Sequence, residues 1–146
     1  MPQAAPAARA LAQQVLAYEA AQDPPREPPV QAAVRACEKL RAYFARFAGV
    51  AGFSSILERA LTLAQGDAPW LASVEVTADG ALAGFGEGAR AQDPAATAAG
   101  GLALLTQFLG LLHTFVGEAM TLRLLADVWP GAPFDPSPPD VQEKDR

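Results

Sequence analysis

The chain has 146 residues, 51% hydrophobic and 18% charged, which is enough apolar material for one hydrophobic core and too little length for two. Its formal net charge of −5 repels phosphate backbones, so the usual electrostatic source of nucleic-acid binding is missing. Cys37 is the only cysteine, which excludes an internal disulfide and a zinc site built on several thiolates and favours a reducing, cytoplasmic location.

The N-terminal residues predict a short helix and a linker. Leu11, Val15 and Tyr18 recur at helical spacing in an Ala-rich background, but no uninterrupted apolar run is present, so we expect no secretory signal. Residues 23–29 (DPPREPP) contain four prolines, which end the helix and favour extended backbone. Residues 1–29 are therefore interpreted as a thin helix and a Pro-rich linker. The helix docks either on its own chain or on a second copy.

Two stronger helices are predicted next. Gly49 and Gly52 mark the break between them, and the second runs to about Gln65. Because the connection is short, we expect the two helices to pack as a hairpin or to meet at a kink. The apolar face of the first consists of Val30, Val34, Cys37, Leu40, Phe44 and Phe47.

A β-hairpin is predicted at about residues 72–86. Hydrophobic and polar residues alternate over 73–78, and the Asp79-Gly80 pair is typical of a two-residue turn with positive φ. The return strand is expected over 82–85, followed by a flexible glycine-rich connection. A lone hairpin is marginally stable in water, so it should lie on the helices, and its free edge is a candidate recognition element.

The last predicted helix begins at Asp93-Pro94, an N-cap followed by proline, and its pattern continues to Trp129. It is apolar almost all round, which is typical of a central core helix or of a membrane span. Residues 94–117 carry no charge and are long enough to cross a bilayer, but polar residues interrupt them and no basic cluster flanks them. We prefer the core helix. Residues 131–146 are rich in proline and charge, which predicts a disordered tail.

These elements together predict a mainly α protein with a small β-hairpin, of the α+β class. The core domain spans residues 30–130 and is a bundle of about four helices. In this prediction the hairpin is inserted before a long, central, apolar C-terminal helix.

The residues capable of catalysis do not form a pattern typical of an enzyme. His113, the single histidine, has no neighbour in its helix suited to orient it as a base or to complete a metal site. Cys37 lies on an apolar face, where a thiol is unreactive. Glycines 84, 86 and 88 match a phosphate loop poorly, because no Lys-Ser or Lys-Thr pair follows them. We predict a non-catalytic protein with no cofactor and no metal.

Two surfaces are candidates for partner binding. Steps of four and seven residues place three basic residues on one face of the second helix, where they fit an acidic protein or a second copy; a solvated face is the alternative. On the last helix, small residues repeat at seven-residue spacing from Ala103 onward and permit close approach of another helix. The candidate partner-binding residues are Arg35, Lys39, Arg46, Gly110, His113 and Gly117.

The sequence thus predicts a small, non-catalytic helical module for protein interaction or regulation, which forms a homodimer in the cytoplasm and has a possible acidic protein partner. One alternative is a helical-bundle sensor for a small apolar ligand or cofactor. Its aromatic lining would comprise Phe44, Phe47, Phe108, Phe115 and Trp129. A second alternative is an oligomeric membrane element that uses residues 94–117.

Overall fold

The computed structural model describes residues 6–22, 29–46, 49–130 and 132. Residues 23–28 of the predicted linker, Phe47 and most of the predicted tail lie outside these residues, whereas Pro29, also predicted as linker, is the first residue of a helix because proline is tolerated in the first helical turn. The chain forms helices α1 (Pro6–Gln22), α2 (Pro29–Ala45), α3 (Val50–Ala64), α4 (Phe85–Arg90), α5 (Pro94–Val116) and α6 (Glu118–Val128), a 3-10 helix (Pro69–Ser73), and strands β1 (Glu75–Val76) and β2 (Leu82–Ala83). The predicted fold class, mainly α with a small β-hairpin, is confirmed.

Helix α5 lies at the centre of the bundle and contacts α1, α2, α3 and α6. Because it is apolar almost all round, it needs neighbours on several sides to remove its side chains from water. Three aromatic rings join it to α2 and α3: the Phe108 ring lies 6.1 Å from that of Phe44 and 5.5 Å from that of Phe53. The long apolar helix is therefore central in the fold, as the sequence predicts.

By length and composition, α5 is also the one helix among the described residues that could cross a membrane. Of its apolar 18-residue window, 56% is buried against the rest of the chain. A core helix passes the same test of length and hydropathy, so this property does not distinguish the two interpretations.

The predicted start of α5 is confirmed and its predicted end is wrong. The Asp93 side chain accepts a hydrogen bond from the backbone N–H of Ala96 at 2.8 Å, and Pro94 is the first helical residue. The helix ends at Val116 because Gly117 has a φ of +90°, a conformation that glycine adopts far more readily than other residues. The predicted single helix to Trp129 is therefore two helices, α5 and α6, that meet at Gly117.

The hairpin forms at the predicted place with a different turn. Glu75 pairs with Ala83 and Val76 with Leu82, so each strand is shorter than predicted. Gly80 has a φ of +85° and its N–H donates to the Thr77 carbonyl at 2.9 Å; no described residue other than glycine has positive φ. The turn is therefore not the predicted two-residue type, which needs positive φ at Asp79 as well.

The predicted flexible connection at 84–88 is instead the short helix α4. Gly84 has a φ of +83° and precedes the helix, and Phe85 and Ala89 are buried. The Phe85 ring lies 5.5 Å from Trp70, whose indole N–H donates to the Ala96 carbonyl at 3.2 Å. Burial of Phe85 against a tryptophan distant in sequence therefore fixes this glycine-rich segment.

Two adjacent glycines let neighbouring residues approach α5 closely. A Cβ atom at Gly100 would lie 2.4 Å from the Trp70 ring, and one at Gly101 would lie 2.9 Å from the Ala33 side chain. No side chain fits at Gly100 unless the indole moves and its hydrogen bond to Ala96 is disturbed. These glycines set the packing distance at the N-terminal half of α5.

Replacing Gly100 with Ala should lower the free energy of unfolding by about 1–3 kcal/mol, because the added methyl overlaps a packed ring. Gly52→Ala is the matched control: Gly52 is exposed in α3 and a Cβ there meets nothing within 4 Å. The control should raise the free energy of unfolding by up to about 1 kcal/mol through helix propensity. Urea denaturation measures both, and equal effects of the two substitutions would contradict the assigned packing.

Candidate functional site

The three basic residues predicted to form one open face on α2 are separated in the structure. Arg35 and Lys39 both bind Glu19 of α1, with Nε of Arg35 at 3.2 Å from Oε1 and Nζ of Lys39 at 2.5 Å from Oε2. Arg46 is exposed just beyond the end of α2, near the Tyr43 hydroxyl. The acidic group that meets Arg35 and Lys39 in this chain is therefore its own first helix.

A single carboxylate joins three helices. Glu19 is fully buried, and its Oε2 also accepts a hydrogen bond from the Trp129 indole N–H at 2.5 Å. Trp129, itself buried, follows α6. We call Glu19, Arg35, Lys39 and Trp129 the Glu19 cluster. The cluster brings together Arg35 and Lys39, which were predicted to bind a partner, and Glu19 and Trp129, for which the sequence predicted no polar partner.

The Glu19 cluster keeps the carboxylate ionised. Burial raises the pKa of Glu19, but hydrogen bonds from Lys39, Trp129 and Arg35 lower it by more, so its pKa lies below the ordinary value of 4.5. A buried carboxylate without such partners would be costly. The side chains of Arg35 and Lys39 remain 29% and 43% exposed. The two cations therefore keep part of their contact with water, and the carboxylate loses almost all of its own.

One sequence signal could have revealed the role of Glu19. Among the side chains of α1 whose burial is described, the fully buried apolar ones are Ala8, Ala12 and Val15, and Glu19 continues their spacing of four, three and four residues. A charged residue in register with a buried face needs a partner on the facing helix. The partners themselves, 16 and 110 residues away, could not be identified from the sequence.

A second feature lies where α5 meets α6. Phe115, Val116 and Met120 are 61%, 45% and 53% exposed, and they flank Gly117. Beside them is a groove of about 100 Å³ between α2, α5 and α6, whose lining includes Phe44, Leu112 and Leu124. We call the three exposed side chains and this groove the elbow surface. Val116 and Met120 belong to both parts.

The elbow surface also has polar groups. Arg123 and Asp127 of α6 line the groove, and the Tyr43 hydroxyl donates a hydrogen bond to Oδ2 of Asp127 at 2.8 Å. That hydrogen bond, with a smaller contribution from burial, raises the pKa of Tyr43. It joins α2 to α6 and so holds two walls of the groove together.

Gly110, His113 and Gly117, the predicted contact residues of the last helix, lie at the C-terminal end of α5. Gly110 and His113 are half-buried in the last turns of α5. A Cβ at Gly117 would meet nothing within 4 Å, so no described part of this chain packs closely against that position. Gly117 instead provides the backbone conformation that separates α5 from α6.

The residues considered for catalysis or metal binding are not assembled into a site. Cys37 is buried, and desolvation, with a smaller contribution from Glu38, raises the pKa of its thiol to about 12. A thiol with this pKa is not a nucleophile at neutral pH. Among the described residues no three His, Cys, Asp or Glu side chains are grouped so that they could hold a metal ion.

No protein-family model, curated protein or solved structure matches this chain. The Glu19 cluster and the elbow surface are therefore the candidate functional sites of this chain.

Glu19→Gln keeps the shape of the side chain and removes its charge, so it should lower the free energy of unfolding at pH 7 by about 1–3 kcal/mol. The folded-state pKa of Glu19 lies below the ordinary value of 4.5, so the ionised carboxylate stabilises the fold at a pH above 4.5. This stabilisation is lost as the pH falls through the folded-state pKa, where the carboxylate is protonated. The difference between wild type and variant should therefore shrink below pH 4.5.

Urea denaturation over a pH series measures this difference. Glu38→Gln is the control, because the Glu38–Arg41 pair is largely exposed and should contribute less than about 1 kcal/mol. Equal effects of the two substitutions at pH 7 would contradict the stabilising role of the Glu19 cluster.

Proposed function

We propose that this protein is a small, non-catalytic helical interaction module that forms a homodimer through the elbow surface. The observation that carries the proposal is the grouping of Phe115, Val116 and Met120, three large exposed apolar side chains, beside an apolar groove. Contiguous exposed apolar side chains are typical of protein-binding surfaces, because association removes them from water.

A second copy is the proposed occupant because the elbow surface carries both exposed apolar side chains and a groove. In a two-fold symmetric interface each copy presents the same residues, so one surface must supply both a protruding group and a recess. Phe115 protrudes next to the groove, and Arg123 and Asp127 supply opposite charges along α6. We propose that Phe115 of each copy enters the groove of the other. Because this contact is largely apolar, moderate salt should not weaken it.

The cytoplasmic location and the absence of catalysis belong to the same proposal. Four helices surround α5, which supports a core helix buried by protein. The buried, unreactive thiol of Cys37 supports a non-catalytic role. The sensor and membrane alternatives gain less support. Two grooves among the described residues, of about 100 and 130 Å³, are each below the ~300–1,000 Å³ typical of small-molecule pockets, so neither supports the sensor.

Sedimentation velocity across a concentration series up to ~100 μM tests the proposal, because a micromolar dimer is well populated there. Phe115→Asp and Met120→Lys should each raise the dimer dissociation constant at least about tenfold, since each places an unpaired charge in an apolar contact. Ser55→Lys, at an exposed position of α3, is the control and should leave the constant unchanged.

A wild-type chain that stays monomeric at this concentration would overturn the proposed homodimer. Variants at Phe115 and Met120 that associate as the wild type does would overturn the assignment of the elbow surface as its interface.

A further inference from the structure

The described part of the chain contains two sulfur atoms, and they differ in their access to water. The sequence holds one cysteine, Cys37, and two methionines, Met1 and Met120, of which Met1 lies outside the described residues. Met120 is 53% exposed, whereas Cys37 is buried. An oxidant dissolved in water therefore meets the thioether of Met120 before the thiol of Cys37.

The two groups also differ in their reactivity toward a peroxide. A cysteine is oxidised through its thiolate, and burial raises the pKa of the Cys37 thiol to about 12, so this thiol stays protonated at neutral pH. A thioether has no proton to lose, so its oxidation depends mainly on access. Exposure and protonation state therefore both direct a peroxide to Met120.

Met120 lies at the centre of the elbow surface. It follows Gly117 by three residues, in the first turn of α6, and it is both one of the three exposed apolar side chains and part of the groove lining. A thioether is apolar and polarisable, which suits an apolar contact. A sulfoxide at the same place carries a polar oxygen that must give up its hydration when the contact forms. Oxidation of this one atom therefore opposes association.

We infer that Met120 is an oxidation site that controls the elbow surface: a peroxide converts it to methionine sulfoxide, and the oxidised chain stays monomeric. The inference rests on the proposed homodimer. In the reaction the sulfur attacks one peroxide oxygen, and an S–O bond forms as the O–O bond breaks. The proton of the attacked oxygen passes to the departing one, which leaves as water when the oxidant is hydrogen peroxide. The sulfur loses two electrons, and the peroxide gains them.

Association and oxidation oppose each other in this scheme. The homodimer covers Met120, so the free chain is the form that reacts, and each oxidation withdraws a chain from the monomer–dimer equilibrium. The rate of Met120 oxidation should therefore fall as the protein concentration rises through the dimer dissociation constant. Methionine sulfoxide reductases reverse the modification. The sulfoxide oxygen then leaves as water while two thiols are oxidised to a disulfide.

Treatment of the full-length chain with hydrogen peroxide tests the inference. Peptide mass spectrometry measures oxidation of Met120, thiol titration of the denatured chain measures loss of Cys37, and sedimentation velocity measures the dimer dissociation constant. Met120 should be oxidised at least about tenfold faster than Cys37. The dissociation constant should rise at least about tenfold, and treatment with methionine sulfoxide reductases of both stereospecificities should restore its starting value.

Met120→Leu is the matched control, because leucine has a similar volume and cannot be oxidised by the peroxide. Each protein is compared with itself before and after treatment, so any effect of the substitution on association cancels. The dissociation constant should rise in the wild type and stay unchanged in the variant.

Oxidation of Cys37 as fast as Met120 would overturn the inference, as would a wild-type dimer that survives complete oxidation of Met120. An equal rise of the dissociation constant in the Met120→Leu variant would also overturn it. A wild-type chain that is monomeric before any treatment would overturn the proposed homodimer, and this inference with it.

Discussion

The constraint on which the fold depends is that α5 is apolar almost all round and must be surrounded. Helices α1, α2, α3 and α6 meet this need on different sides, and Gly100 and Gly101 allow Trp70 and Ala33 to come close. At Gly117 the backbone leaves the helix, and the large side chains on either side of it, Phe115, Val116 and Met120, are left exposed. The exposed side chains of the elbow surface arise there, so the same helix creates both the core and the proposed interface.

The helices that surround α5 are held in different ways. On the α2 and α3 side, packed phenylalanine rings and leucines form a dense apolar contact. On the α1 side, small buried side chains and the partly buried Leu11, Leu16 and Tyr18 form the contact, and a buried carboxylate with three donors adds a polar one. An apolar contact tolerates many partners, whereas the Glu19 cluster accepts an acidic group in one place. The position of α1 on α5 is therefore specified by charge, and the positions of α2 and α3 by apolar packing.

Much of the fold could be predicted because its signals are local. Apolar spacing located α2, α3 and α5, and the Asp93-Pro94 pair fixed the start of α5. The end of α5 was missed because a glycine within a helical pattern gives no sign of its φ, and α4 was missed because Phe85 is buried by the distant Trp70. The basic residues of α2 were recognised, but their pairing with Glu19 depends on how α1 packs, which no local pattern encodes.

We propose that protein, and not lipid, surrounds α5. Alkaline carbonate extraction of membranes from cells that express the full chain tests this directly, because it releases soluble and peripheral proteins and retains those that span the bilayer. We expect the protein to be recovered in the soluble fraction and to melt in one cooperative transition without detergent. Retention in the carbonate-washed membrane would contradict it.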